Sequence, residues 1–120
     1  NIAAVTGSRM MIKKAALKGK MPLYKFLGNL VLTNFFNLVF KSKFTDCHTG
    51  LWSYNIKKLK KINLNQIDSG YNFDSQLRIK FVINKFKIDE IPIETHYRDE
   101  HSSYHFQYSF NFFKELFFYR

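Results

Sequence analysis

The stretch Ile2-Ala3-Ala4-Val5-Thr6-Gly7-Ser8-Arg9 decides the fold. A short apolar run meeting Thr-Gly-Ser-Arg predicts a buried strand that ends in a polar loop. Loops that follow buried strands are where α/β proteins build their sites. After the basic stretch of Lys13, Lys14, Lys18 and Lys20, Pro22 is well placed to open a helix running to about Phe40. In that helix Lys25, Asn29, Thr33, Asn37 and Lys41 recur every four positions, one narrow polar stripe on an otherwise apolar cylinder. Such a helix is expected to be mostly covered. Its longest uncharged run, Phe26 to Phe40, has 15 residues with three Asn, short of the roughly 20 apolar residues that a bilayer span needs. A core helix is the first reading and an interfacial helix the alternative.

Further along, Gly50 to Tyr54 reads as a short strand. Asn55 then caps a small helix that turns Ile56, Leu59 and Ile62 one way and Lys57, Lys58, Lys60 and Lys61 the other. Asn72 is expected to cap another helix, with Phe73, Leu77 and Phe81 at four-residue spacing. Phe86-Lys87-Ile88 begins an alternating strand that ends near Pro92. The predicted order, strand, helix, strand, helix, helix, strand, is that of an α/β protein. Arg98 to Tyr104 is a polar loop, and the tail from Phe106 is dense in aromatics.

At 120 residues, with 46% hydrophobic content and 14 Phe, the chain has the means for one core and no room for two. Cys47 is the single cysteine. It therefore forms no disulfide or zinc motif within the chain, and a reducing, cytoplasmic setting is expected. No signal-peptide pattern opens the sequence. The formal charge of +10, from 19 Lys and Arg against 9 Asp and Glu, favours polyanionic partners. Because a chain so rich in Lys, Asn, Ile, Phe and Tyr is also what AT-rich coding yields, that charge is discounted here.

Three polar clusters fall where apolar elements end: Thr6 to Arg9, Thr45 to Gly50, and Tyr97 to Ser103. Singly, each has a plain explanation as a turn, a cap or a surface ion pair. His96, His101 and His105 lie close in sequence, but their spacing matches no zinc motif, so no metal site is assigned to this segment. Walker, dinucleotide-binding, nucleophile-elbow and zincin motifs are all absent.

Taken together, six blocks in order resemble the second half of family 2 glycosyltransferases of the dolichyl- and polyprenyl-phosphate mannosyl- or glucosyltransferase type. They are Gly7-Ser8-Arg9-Met10, Met21-Pro22-Leu23-Tyr24-Lys25 with Asn29, Asp46-Cys47-His48-Thr49-Gly50, Phe73-Asp74-Ser75-Gln76, Glu90-Ile91-Pro92-Ile93, and Tyr97-Arg98-Asp99-Glu100-His101-Ser102-Ser103. The resemblance spans nearly all of residues 1–120. It departs at Leu51-Trp52, where relatives commonly carry an aromatic and then Arg, and at His101 and Tyr104 around the serine pair.

The resemblance implies a partial GT-A domain lacking its N-terminal half, the C-terminal portion of one nucleotide-sugar transferase unit. The implied reaction moves a hexose from a nucleotide diphosphate sugar to a polyprenyl phosphate, with inversion, in cell-envelope biogenesis. It belongs to the complete enzyme, and the segment alone is expected to be inactive. The divalent metal, Mg2+ or Mn2+, would be bound mainly by an Asp-x-Asp motif on an earlier strand, expected to pair beside the Gly-Ser-Arg strand.

By the same resemblance Arg9, with Ser8, would bind the acceptor phosphate, and Asp46 would be the catalytic residue near the reacting sugar. Arg98, Ser102 and Ser103 would close over the donor diphosphate. His48, Thr49, Asp74, Gln76 and Glu100 are further candidates. The expected partners are the nucleotide sugar and a polyprenyl phosphate or membrane surface, with the enzyme peripheral on the cytoplasmic face. The aromatic tail and basic surface fit anionic lipid. The rival readings are a basic nucleic-acid-binding module, although no RNA-recognition or OB-fold signature is present, and an inactive remnant or partner subunit.

Overall fold

Ala4–Ser8 forms the first strand, β1, at the centre of a three-stranded sheet. The computed structural model describes residues 1–70, 72–97, 112–114 and 116–117. Trp52–Tyr54 (β2) pairs antiparallel with β1, and Ile88–Pro92 (β3) pairs with it in parallel, giving the order β2-β1-β3. The strand therefore runs on through Thr6, Gly7 and Ser8, which the sequence places in a loop. The register explains why: Thr6 has partners on both sides, Trp52 and Glu90, and Ser8 still faces Pro92. Both edges of β1 are taken, which corrects the expectation that a metal-motif strand pairs beside it. A further strand could add only at the outer edges of β2 or β3.

Among the described residues up to Tyr97, four helices complete this mixed α/β unit. They are α1 (Lys13–Lys18), α2 (Leu23–Phe40), α3 (Ile56–Leu59) and α4 (Phe73–Ile83), with a 3-10 turn at Leu64–Gln66. α1 lies in what the sequence shows only as a basic stretch. Asn55 caps α3 as expected, its side chain accepting from the Lys57 and Lys58 amides. Asn72 stands at the start of α4 without such a bond. Pro22 precedes α2 as its N-cap residue, and Lys41 ends the helix in the left-handed conformation with φ 52°.

One apolar cluster joins β1 to α4 through Ala3, Ala4, Leu77 and Phe81, with Trp52, Tyr54 and Ile88 packed around them. A second joins α2 to α4 through Leu32, Phe36 and Ile79. It takes in Cys47 and, from the aromatic tail, Phe112 and Leu116. Phe112 and Leu116 are thus core residues, while Phe117 is exposed. A third, smaller cluster packs Met10, Ala16 and Met21 with Tyr97 nearby.

α2 does not follow the sequence expectation. Its buried residues are Asn29, Leu32, Thr33 and Phe36, while Leu23, Leu27, Val31 and Leu38 are exposed. The middle of the polar stripe points inward, because Asn29 and Thr33 hold the loop described below.

Gly19 ties the N-terminal helices to the segment after β3. A Cβ there would lie 2.0 Å from the Thr95 carbonyl oxygen, and the Gly19 carbonyl accepts from the Tyr97 amide at 2.8 Å. Its φ of −75° is ordinary, so only space demands glycine. Gly19→Ala is expected to lower stability by about 1–3 kcal/mol, the usual cost of overpacking, read as a lower urea midpoint with an unchanged m-value.

Candidate functional site

β1 delivers its last residues into a turn built by Ser8. The Ser8 Oγ accepts from the Met10 and Met11 amides at 3.2 and 3.0 Å, turning the chain away from the sheet, and shares a hydrogen with the Thr45 hydroxyl. Arg9 is thereby placed at the C-terminal end of the sheet's central strand. Its Nε and Nη2 donate to Asp46 Oδ2 and Oδ1 at 2.8 and 3.0 Å, a bidentate fork, and its backbone amide adds a bond to Oδ2 at 3.1 Å. Nη1 donates to the Tyr97 hydroxyl at 3.1 Å, and the Lys25 ammonium lies 5.3 Å from the centre of the Tyr97 ring.

Asp46 is fully buried and is held from two more sides. Asn29 Nδ2 and the His48 amide both donate to Oδ1, at 2.9 and 3.0 Å. Asn29 is oriented in turn by the Thr33 hydroxyl, which donates to its Oδ1 at 2.9 Å and accepts from the Cys47 amide at 3.1 Å. From β3, the Glu90 carboxylate receives the Thr45 amide and hydroxyl, both at 2.9 Å, and the Asp46 amide at 3.2 Å. Three elements distant in sequence, β1, α2 and β3, thus fix one loop.

The electrostatics follow from this geometry. Burial works against the Asp46 carboxylate, but the Arg9 hydrogen bonds and charge, helped by Asn29 and His48, outweigh it and hold its pKa at about 2. Burial likewise opposes the Arg9 charge, and Asp46 with Tyr97 overcomes it, so the guanidinium pKa is raised. Lys25 is pushed down by burial and by the Arg9 charge. Burial lifts the Cys47 thiol to about 12, which makes it a poor nucleophile. His48 is half-buried as a residue, but its Nε2 is fully covered and its ring packs edge-on against Phe112 at 4.8 Å. That desolvation, against the pull of Asp46, lowers its pKa to about 4.

Ser8, Arg9, Asp46 and His48 are therefore brought together. Thr49 is buried in the same loop, its hydroxyl accepting from the Leu51 amide and its carbonyl from Trp52 Nε1. The Asp74 carboxylate faces Gly50, where a Cβ would lie 3.5 Å from Oδ2. Gln76 is engaged elsewhere, exchanging two hydrogen bonds with Asp68 at 2.9 and 3.0 Å. Arg98, Glu100, Ser102 and Ser103 lie outside the described residues.

Arg78 has no place in the sequence argument, yet it anchors the loop from beneath. It is buried, and its guanidinium carbon lies 4.7 Å from the Phe44 ring centre and 4.6 Å from that of Trp52. Those two rings flank the 45–50 loop, so one cation holds both ends of it. Among the described residues its three nitrogens have no hydrogen-bond partner. The only hint in the sequence is that α4 carries Leu77, Ile79 and Phe81 at alternate positions, so no single face of that helix can be assigned to solvent.

No family model, curated protein or solved structure matches this chain. The chemistry must therefore be read from the site itself.

A divalent ion does not fit here. Asp46 and Glu90 turn their oxygens to N–H and O–H donors, and among the described residues no group of three or more His, Cys, Asp or Glu could hold a metal. What the site offers is a cation. A guanidinium has five N–H donors, and among the described residues Arg9 uses three: one to the Tyr97 hydroxyl and two to Asp46. Two remain, on a side chain that keeps 22% of its surface exposed.

Proposed function

We propose that the chain is the acceptor-binding portion of a GT-A glycosyltransferase that moves a hexose from a nucleotide diphosphate sugar to a polyprenyl phosphate, with inversion at the anomeric carbon. The observation that carries the reading is Arg9, an oriented and partly exposed guanidinium with two N–H groups that no described residue takes up. Lys25 beside Tyr97 adds a second positive charge. Two cations at the C-terminal end of a central strand suit a phosphate monoester, which a planar guanidinium can grip through two oxygens.

Such an acceptor is its own nucleophile. With a second pKa near about 6, a phosphate monoester is largely ionised at neutral pH and needs positioning more than a general base. That division of labour suits Asp46, whose oxygens are filled by donors and whose pKa is about 2. Its role in this reading is to orient Arg9 and, through the His48 amide, the loop that faces the sugar. Arg98 with Ser102 and Ser103 keeps the donor-diphosphate role that the sequence resemblance gives it. The divalent metal, where the enzyme uses one, would come from outside this site, and no step here depends on it.

The test is transfer of labelled hexose to a short-chain polyprenyl phosphate by the full-length protein. Arg9→Lys is expected to raise the acceptor KM and lower kcat/KM by roughly 10- to 100-fold, since lysine cannot reproduce the fork. Unchanged kcat/KM would remove Arg9 from acceptor binding. Transfer to saccharide hydroxyls but never to the lipid phosphate would overturn the acceptor assignment.

A further inference from the structure

We propose that the outer face of α2 is the surface on which this protein lies against an anionic membrane. Leu23, Leu27, Val31 and Leu38 are 64%, 52%, 62% and 77% exposed. Their spacings of four, four and seven residues put them on one side of the helix. An ordinary surface helix keeps such residues inward and its polar ones outward. Here Asn29 and Thr33 are buried on the site loop, while Leu23, Leu27, Val31 and Leu38 face out. An apolar stripe of this length on a soluble protein marks a surface that something covers.

Charge identifies the occupant. Residues 1–45 carry eight Lys and Arg and no Asp or Glu, so this segment holds +8 of the chain's +10. The remaining residues, with 11 basic and 9 acidic side chains, are nearly balanced. A composition bias from coding would spread lysine evenly and leave acidic residues among it. Instead the excess is gathered on α1, α2 and the segments that flank them. Lys13, Lys14, Lys18 and Lys20 are exposed just before α2, and Lys41 and Lys43 just after it. Ile12 and Leu17, at 52% and 49% exposure, add apolar surface on α1. Apolar side chains flanked by lysines at both ends of a helix, with no acidic residue among them, fit a layer of anionic headgroups over hydrocarbon.

The helix lies on the membrane and does not cross it. Its 18 residues would extend about 27 Å, less than the roughly 30 Å of a hydrocarbon core. Insertion would also pull Asn29 away from the Asp46 carboxylate. The inference is independent of the reaction proposed above, because binding to lipid is measured without any sugar transfer.

Site-specific labelling tests it. Cys47 is the only cysteine and is buried, so a cysteine introduced at Leu27 or Val31 takes up a thiol-reactive, environment-sensitive fluorophore alone. In the full chain, both labels are expected to shift to the blue and brighten several-fold on vesicles of phosphatidylcholine with about a third phosphatidylglycerol. The change should be absent on pure phosphatidylcholine and should weaken at high salt, as screening requires. A label at exposed Asn65, on the 3-10 turn, should not respond. The double variant Leu27→Glu/Val31→Glu should keep its circular dichroism and lose co-sedimentation with the anionic vesicles.

Labels at 27 and 31 that ignore anionic vesicles would overturn the proposal. So would labels already blue-shifted without lipid in a species sedimenting as a dimer, which would mean that a second copy covers the face. An equal response at Asn65 would do the same.

Discussion

Asp46→Ala lowers the unfolding free energy by about 3–5 kcal/mol, the usual cost of breaking a buried ion pair by removing one partner. The magnitude comes from what is left behind. Asp46 is fully buried and receives the Arg9 amide, Nε and Nη2, Asn29 Nδ2 and the His48 amide. Without the carboxylate, the Arg9 guanidinium keeps its charge in a largely covered place with Tyr97 as its one partner among the described residues, and the Asn29 and His48 N–H groups lose their Asp46 acceptor. Domains of this size hold only about 5–15 kcal/mol in total, so the loss is a large share of stability.

Urea denaturation of the full chain measures it, with a double-mutant cycle to separate the pair from its surroundings. Arg9→Met on its own should also destabilise. Arg9→Met with Asp46→Leu should recover much of the loss, because no uncompensated charge remains in the site. A cost below about 1 kcal/mol for Asp46→Ala would mean that the pair behaves like a surface salt bridge. In the proposed enzyme, Asp46→Asn separates the two jobs this residue could have. A role confined to orienting Arg9 leaves much of the turnover on a lipid phosphate, whereas a general base would cost roughly 10² to 10⁴.

The sheet could be read from the sequence because its signals are local. The apolar run at Ile2 to Val5, the punctuation at Gly50 and the stop at Pro92 each act over a few residues; β2 and β3 stand where they point, and β1 overlaps its run at Ala4 and Val5 before continuing to Ser8. α2 was legible in extent but not in orientation. Periodicity separates a polar face from an apolar one but does not say which is inside, and here the answer lies 17 residues away, where Asn29 meets Asp46. Arg78 was hidden for the same reason. A cation in a helix reads as solvent-facing until Phe44 and Trp52, distant in sequence, close over it. The candidate site was legible as clusters at strand ends, and Ser8, Arg9, Asp46 and His48 do meet. Glu90 was visible only as part of a block, although it fixes the loop amides from β3.

His48 gives the chain an acid-sensitive stability well above the range of its carboxylates. Its pKa is about 4 in the folded protein against 6.5 when exposed, because the ring is desolvated and Arg9 and Arg78 repel its charged form, while Asp46 pulls only part of the way back. The unfolded chain therefore binds a proton in this window that the folded chain does not, and stability must fall as pH drops from about 6.5 to about 4. A shift of this size is worth on the order of 3 kcal/mol across the window. Asp46 extends the loss at lower pH. Its depressed pKa of about 2 gives stability that is present above the ordinary carboxylate value of 3.8 and lost as pH falls toward 2. Asp74, raised by burial, has the opposite sign and acts only near the carboxylate range. Urea midpoints measured from pH 7.5 down to pH 4 are expected to decline most steeply over the lower part of that range. His48→Gln, which keeps the backbone amide on Asp46 but cannot titrate, should remove most of the slope above the carboxylate range. A His48→Gln profile parallel to the parent's would show that the ring is reached by water and that other groups carry the acid response.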